Sequence, residues 1–289
     1  MPAAMASDVS GRHFVDVAEV IKARSGDRVN GIYVHDVTMM HCGMMYNAWD
    51  VNTGLSNARF SHIVSTDAQR GLLKFRGPAH DIVVEDFTLQ VTTINTDPQK
   101  IPEGIAFAGK TATDVGENFL IRNGRIDGLR SQHAAFLNGD GVATEMGYRN
   151  VRLENIISSN NSDAGFDLKS GSTTGANLTA SGNHHNFKLW FGQNFDGPII
   201  SINPAGQGAA HILLIGAADN SSTYSFSHIS FRSDTAAPLL SISPDGGRVR
   251  VVIQSYDMNV PSGTPMIFDP AKLATVEWGT QIQGVQTSG

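Results

Sequence analysis

Four side chains near the middle of the chain have types that do chemistry together: Asp140, Asp163, Asp167 and Lys188. They sit in three short segments, "NGDGVATEMG", "SDAGFDLKSG" and "NHHNFKLWFG". Each segment is a turn followed by a short strand with alternating hydrophobes. Aligning Val142, Phe166 and Phe187 as inward residues puts Asp140, Ala164 and His185 in one column and Ala143, Asp167 and Lys188 in another. Asp163 lies one residue before Ala164. With neighbouring strands about 4.8 Å apart, these backbones fall within roughly 10 Å of one another. Carboxylates gathered on one face repel unless a cation sits among them, and hard oxygen ligands suit Ca²⁺. A lysine beside a bound divalent cation has a lowered pKa, so its neutral amine becomes accessible as a general base. A metal on a uronate carboxylate acidifies the proton at C5. Loss of that proton and then of the 4-O substituent is a β-elimination.

Such a face needs a scaffold that stacks short strands in register. An approximate repeat supplies one. Segments of the same form start at Gly71, Gly104, Gly141 and Gly165, and "NFKLWFG" opens another at Asn186. Repeats of about 20 to 30 residues made of short strands and turns indicate a solenoid. Leucine-rich repeats need a Leu and Asn pattern that is absent, and a propeller needs four strands per repeat. The expectation is an all-β chain, a right-handed parallel β-helix, forming a single domain over residues 1–289. Residues 1–28 are expected to cap its start, with a short helix over 13–24, and 281–289 to form a frayed tail.

Composition agrees with a chain of strands and turns: 289 residues, 30 of them Gly, with only 17% charged. The net charge is −6 and there is no basic stripe, which argues against nucleic acid as partner. No apolar run is long enough to span a membrane as a helix. The single cysteine, Cys42, rules out an intrachain disulfide framework and reads as a small buried hydrophobe. A monomer acting in a secreted or periplasmic setting is expected, although no signal peptide is visible.

The stretch from Asn138 to Trp190, "NGDGVATEMGYRNVRLENIISSNNSDAGFDLKSG…NHHNFKLW", resembles the heart of the family 9 polysaccharide lyases, pectate lyases with a parallel β-helix fold. The family shows a "GDGF" segment, an "N-x-D-D-G-[WY]-D-L" segment and a "G-F-K-L" segment. By position, the resemblance implies Asp140, Asp163 and Asp167 as Ca²⁺ ligands and Lys188 as the base. The sequence departs from the family at Ala164, which stands where the second Asp of the tandem pair belongs, at Val142 and at Asn186. Lys169, His185 and Trp190 are candidate contacts to an acidic polysaccharide. His184 and His185, adjacent in a strand, point to opposite faces and make a poor metal pair. Asn160, Asn161 and Asn183 read as turn or ladder residues. Asp140 and Asp163 also suit turns, and Lys188 opposite Asp167 also fits a plain cross-strand ion pair. The rival readings are a C5-epimerase or glycoside hydrolase on the same fold and a non-catalytic carbohydrate-binding or structural β-helix.

Overall fold

A computed structural model describes residues 7–97, 99–109, 116–132 and 137–283. The chain is all-β, and no helix occurs among the described residues. Nearly all strands fall into two sheets in which every pairing is parallel. Short strands, among them Leu73–Phe75, Glu103–Phe107, Asp140–Thr144, Ala164–Leu168, His185–Trp190 and Ala210–Ile215, form one sheet. Longer strands, such as Ala79–Gln90, Gly116–Asp127, Tyr148–Ser159 and Thr173–Ser181, form the other. Along the chain a short strand is followed by a long one, and each pairs with its equivalent one repeat later. That order is consistent with a parallel β-helix.

The side-chain pattern explains the stacking. Val142 pairs with Phe166 and Phe166 with Phe187, and all three are fully buried. The Phe166 and Phe187 rings stack at 5.1 Å, as Phe195 and Phe226 do at 5.3 Å on the long sheet. Like residues recur at like positions, so each ring meets its copy from the next repeat. One core cluster runs without a break from Ile32 to Tyr256.

The long strands bend where one residue takes the left-handed conformation, at Asp86, Asn123, Asn155 and Asn177 (φ 52° to 55°). Asn and Asp tolerate that region because their short polar side chains bond locally. Here the amides also bond up the stack: Asn123 donates to Asp86 at 3.1 Å, Asn155 to Asn123 at 3.0 Å and Asn177 to Asn155 at 3.0 Å.

The helix expected over residues 13–24 does not form. That segment holds two short strands, His13–Val15 and Ile21–Lys22, laid along the first repeats. The reason is local. The backbone amides of Asp16, Val20, Ile21 and Ala23 donate to the carbonyls of Met40, Met44, Met45 and Asn47, an edge that would otherwise lack partners. Phe14, Val17, Val20 and Ile21 pack on the core from this extended path, and β-branched residues favour it.

Candidate functional site

The register that aligns the hydrophobes also aligns the polar residues. Ala143 pairs with Asp167 and Asp167 with Lys188, while Ala164 pairs with His185. Glu103 pairs with Asp140 on the preceding repeat. In each of these strands two consecutive residues turn inward, so the outward positions lie three apart: Asp140 and Ala143, Ala164 and Asp167, His185 and Lys188. Glycine permits this. A Cβ on Gly141 would stand 1.9 Å from the Ser158 hydroxyl, and one on Gly165 2.7 Å from the Asn186 carbonyl oxygen.

The side chains form one ion network. Lys188 Nζ lies 2.8 Å from Asp163 Oδ2 and 3.7 Å from Asp167 Oδ2. Lys169 Nζ lies 3.0 Å from Asp167 Oδ2 and 3.1 Å from Glu145 Oε1. The indole N–H of Trp190 donates to Asp167 Oδ1 at 2.8 Å, and Lys169 Nζ sits 5.6 Å from the Trp190 ring centroid. Asp140 is buried, and its Oδ1 accepts the Ala164 N–H at 2.9 Å. The two lysines remain partly open, with side chains 19% and 20% exposed, above carboxylates only 6% exposed.

Burial and the neighbouring carboxylates hold Asp140 well above the usual carboxylate range. Burial raises Asp163 as well, opposed by Lys188. Lys188 and Lys169 move the other way: burial lowers each, but the surrounding carboxylates outweigh it and hold both ammonium groups charged. His185 is pushed down to about 3 by burial and by the nearby His184 and Lys188, so it is neutral. Among the described residues its Nδ1 has no hydrogen-bond partner.

Asp163, Asp167, Lys169, Lys188 and Trp190 therefore touch one another. Asp140 joins through the Ala164 amide and through its charge, while His185 flanks the group in the neighbouring column. His184 and His185 face each other edge-on at 4.4 Å. Asn161 and Asn183 lie inside the stack as a ladder, with Asn161 Nδ2 donating to Asn183 Oδ1 at 2.9 Å. Sequence reasoning missed Glu145 and Glu103. Both were findable by extending the same columns, since Glu145 stands two residues past Ala143 as Lys169 stands two past Asp167.

In this arrangement each candidate calcium ligand is engaged by a donor of the chain. Asp163 is bound by Lys188, Asp167 by Lys169 and Trp190, and Asp140 by a backbone amide. Ala164 contributes no side-chain oxygen. Among the described residues no group of three or more His, Cys, Asp or Glu is arranged to hold a metal. No family model matches the chain, and no curated protein matches it.

Proposed function

We propose that the chain is a right-handed parallel β-helix and acts as a polysaccharide lyase, cleaving a uronic-acid-containing, pectate-like polysaccharide by β-elimination. Handedness rests on the strong preference of parallel crossovers for the right-handed path. The observation that carries the activity is the contact of two partly open lysines, Lys169 and Lys188, with a floor of buried carboxylates. A uronate demands such a site, because its carboxylate must be neutralised before the C5 proton becomes acidic.

In this reading the ammonium group of Lys169 receives the uronate carboxylate and Trp190 flanks the sugar ring. Lys188, in its neutral form, takes the C5 proton. The C5–H electron pair becomes the C4–C5 double bond as the C4–O bond breaks. The departing oxygen leaves with the bond pair and is protonated, from solvent or from a neighbouring acid. Positive charge placed where the carboxylate gains electron density is the main catalytic contribution. The calcium-assisted form that the family resemblance implies would require the two ammonium groups to leave the carboxylates.

The test is incubation with polygalacturonate, alginate and other uronans, following ultraviolet absorbance from the unsaturated uronate end. No absorbance on any uronan would sink the lyase reading. Retained activity in chelator identifies the lysine-neutralised form. Loss in chelator with recovery on added Ca²⁺ identifies the calcium form. A second reading has one observation in its favour: burial and neighbouring carboxylates raise the Asp140 carboxyl well above its usual range within a cluster of acidic groups, a combination that glycoside hydrolysis uses. New reducing ends without unsaturated product would mark that outcome.

A further inference from the structure

The outward column holding Asp167 and Lys188 continues toward the start of the chain. Its members are Asn47, Lys74, Ala106, Ala143, Asp167 and Lys188, one per repeat. At the Lys74 end lies Trp49, a large aromatic side chain left 41% exposed. Its ring has Lys74 Nζ at 5.3 Å and the Arg76 guanidinium at 5.4 Å from the centroid. Beside it is a depression of about 810 Å³ lined by Lys22, Arg24, Arg70 and Arg76 and by the carboxylates Glu19 and Asp50. That volume is in the range of a ligand site.

The charges are not all spent. Glu19 is taken by Lys22 and Arg70, each at 3.0 Å. Lys74 is paired with Glu103 at 2.6 Å. Among the described residues no ion pair is formed by Arg24 or Arg76, and Arg76 feels Asp50 only as a nearby charge. A chain of net charge −6 thus gathers four cations, Lys22, Arg24, Arg70 and Arg76, against two carboxylates beside one exposed indole. An aromatic face offers a platform for the C–H face of a sugar, and a guanidinium without a bidentate partner offers a fork for a carboxylate.

We infer that Trp49 and Arg76 form a distal subsite for an anionic oligosaccharide whose other end reaches the Lys188 cluster. The ligand class rests on the uronan reading above. Lys74 and Lys188 are four repeats apart, roughly 19 Å at about 4.8 Å per repeat. The two positions between Lys74 and Asp167 are Ala106 and Ala143, so no large side chain of this column intervenes. The span takes several linked sugars, so the subsite acts on long chains and not on short ones.

The experiment measures calorimetric binding of octagalacturonate and of a neutral cello-oligosaccharide of similar length. Trp49→Ala, Trp49→Phe and Arg76→Ala are each compared in the Lys188→Ala background, where the ligand is not consumed. The expected result is octagalacturonate binding that weakens at least tenfold in Trp49→Ala and in Arg76→Ala. Trp49→Phe should recover much of the loss, and affinity should fall with salt. Unchanged affinity in both truncations, equal binding of the neutral oligosaccharide, or no octagalacturonate binding would each overturn the inference. Should Trp49→Ala fail to fold by circular dichroism, Arg76→Ala carries the same test. Binding of this kind, with no unsaturated product on any uronan from the chain that keeps Lys188, would end the lyase reading and leave the subsite standing. Elimination with unaltered affinity in the variants would do the reverse.

Discussion

Lys188 is asked to be a base while the carboxylates of Asp167 and Asp163 hold it as a cation. Its amine is neutral only above a pKa raised from the ordinary lysine value, so the rate of elimination should climb with pH and show no plateau near neutrality. A pH–rate profile on polygalacturonate checks this, and a plateau below pH ~8 would contradict the assignment. Lys188→Ala should lower the rate by about 10² to 10⁴, the usual contribution of a positioned base, with the β-fold kept by circular dichroism at a lower melting temperature, because Asp163 loses its buried ion partner. The neighbouring column gives a second prediction. Ala164→Asp restores the carboxylate that the resemblance places there, beside the already crowded Asp163 and Asp167. Its melting temperature should fall in chelator and rise on added Ca²⁺, whereas the unsubstituted chain should respond to neither. Thermal melts with and without Ca²⁺ decide it. The contact of Asp163, Asp167 and Lys188 was legible in the sequence because inward hydrophobes fix which residues face out. Which partner each carboxylate chooses was not, because Lys169 and Trp190 reach Asp167 by side-chain length and rotamer, and no register encodes those.

Strands here are held by polar ladders as well as by hydrophobes. Inside the stack, Asn161 bonds Asn183, Asn183 bonds Asn186 at 3.0 Å, Asn186 bonds Ser201 at 2.8 Å and Ser201 meets His211 Nδ1 at 2.7 Å. Burial pushes His211 down to about 4. Its folded pKa is therefore depressed below the unfolded value near 6.5, so the chain folds with His211 neutral and the unfolded state takes up the proton first. The stability this contributes is intact above pH ~6.5 and is lost as pH falls toward about 4, by up to about 3 kcal/mol. Urea unfolding across that window should show a steeper loss in the native chain than in His211→Gln, and parallel curves would refute the role. Asn161 and Asn183 could be read as turn or ladder residues from the sequence, but their inward aim and the continuation through Asn186, Ser201 and His211 could not. Asn186 occupies a position that simple alternation assigns to the outer face. The helix expected over 13–24 failed for a related reason: its apolar spacing suits either period, and the open edge of the first repeats decided in favour of strands.

At the scale of the whole molecule, the two sheets divide the work. The candidate site and the Trp49 platform lie on the short-stranded sheet, built from side chains that adjacent repeats hold in register. The long-stranded sheet carries its own ion network, in which Glu85, 1% exposed, receives Arg59 and, through two bonds at 2.8 and 2.6 Å, Arg122. Each repeat contacts mainly its neighbours, so a defect on one sheet weakens the stack locally without re-aiming side chains on the other. Glu85→Ala removes the shared partner of two arginines whose side chains are 53% and 40% exposed. Solvent takes over much of their solvation, so the cost should be about 1 to 2 kcal/mol, less than the 3 to 5 of a fully buried pair. Below its melting transition Glu85→Ala should keep the elimination rate and the octagalacturonate affinity of the native chain. Urea midpoints together with kcat/KM measure both sides of this expectation. A variant that folds with its stability little changed and yet loses activity would show that the sheets are coupled over a distance that a stack of nearest-neighbour repeats does not transmit.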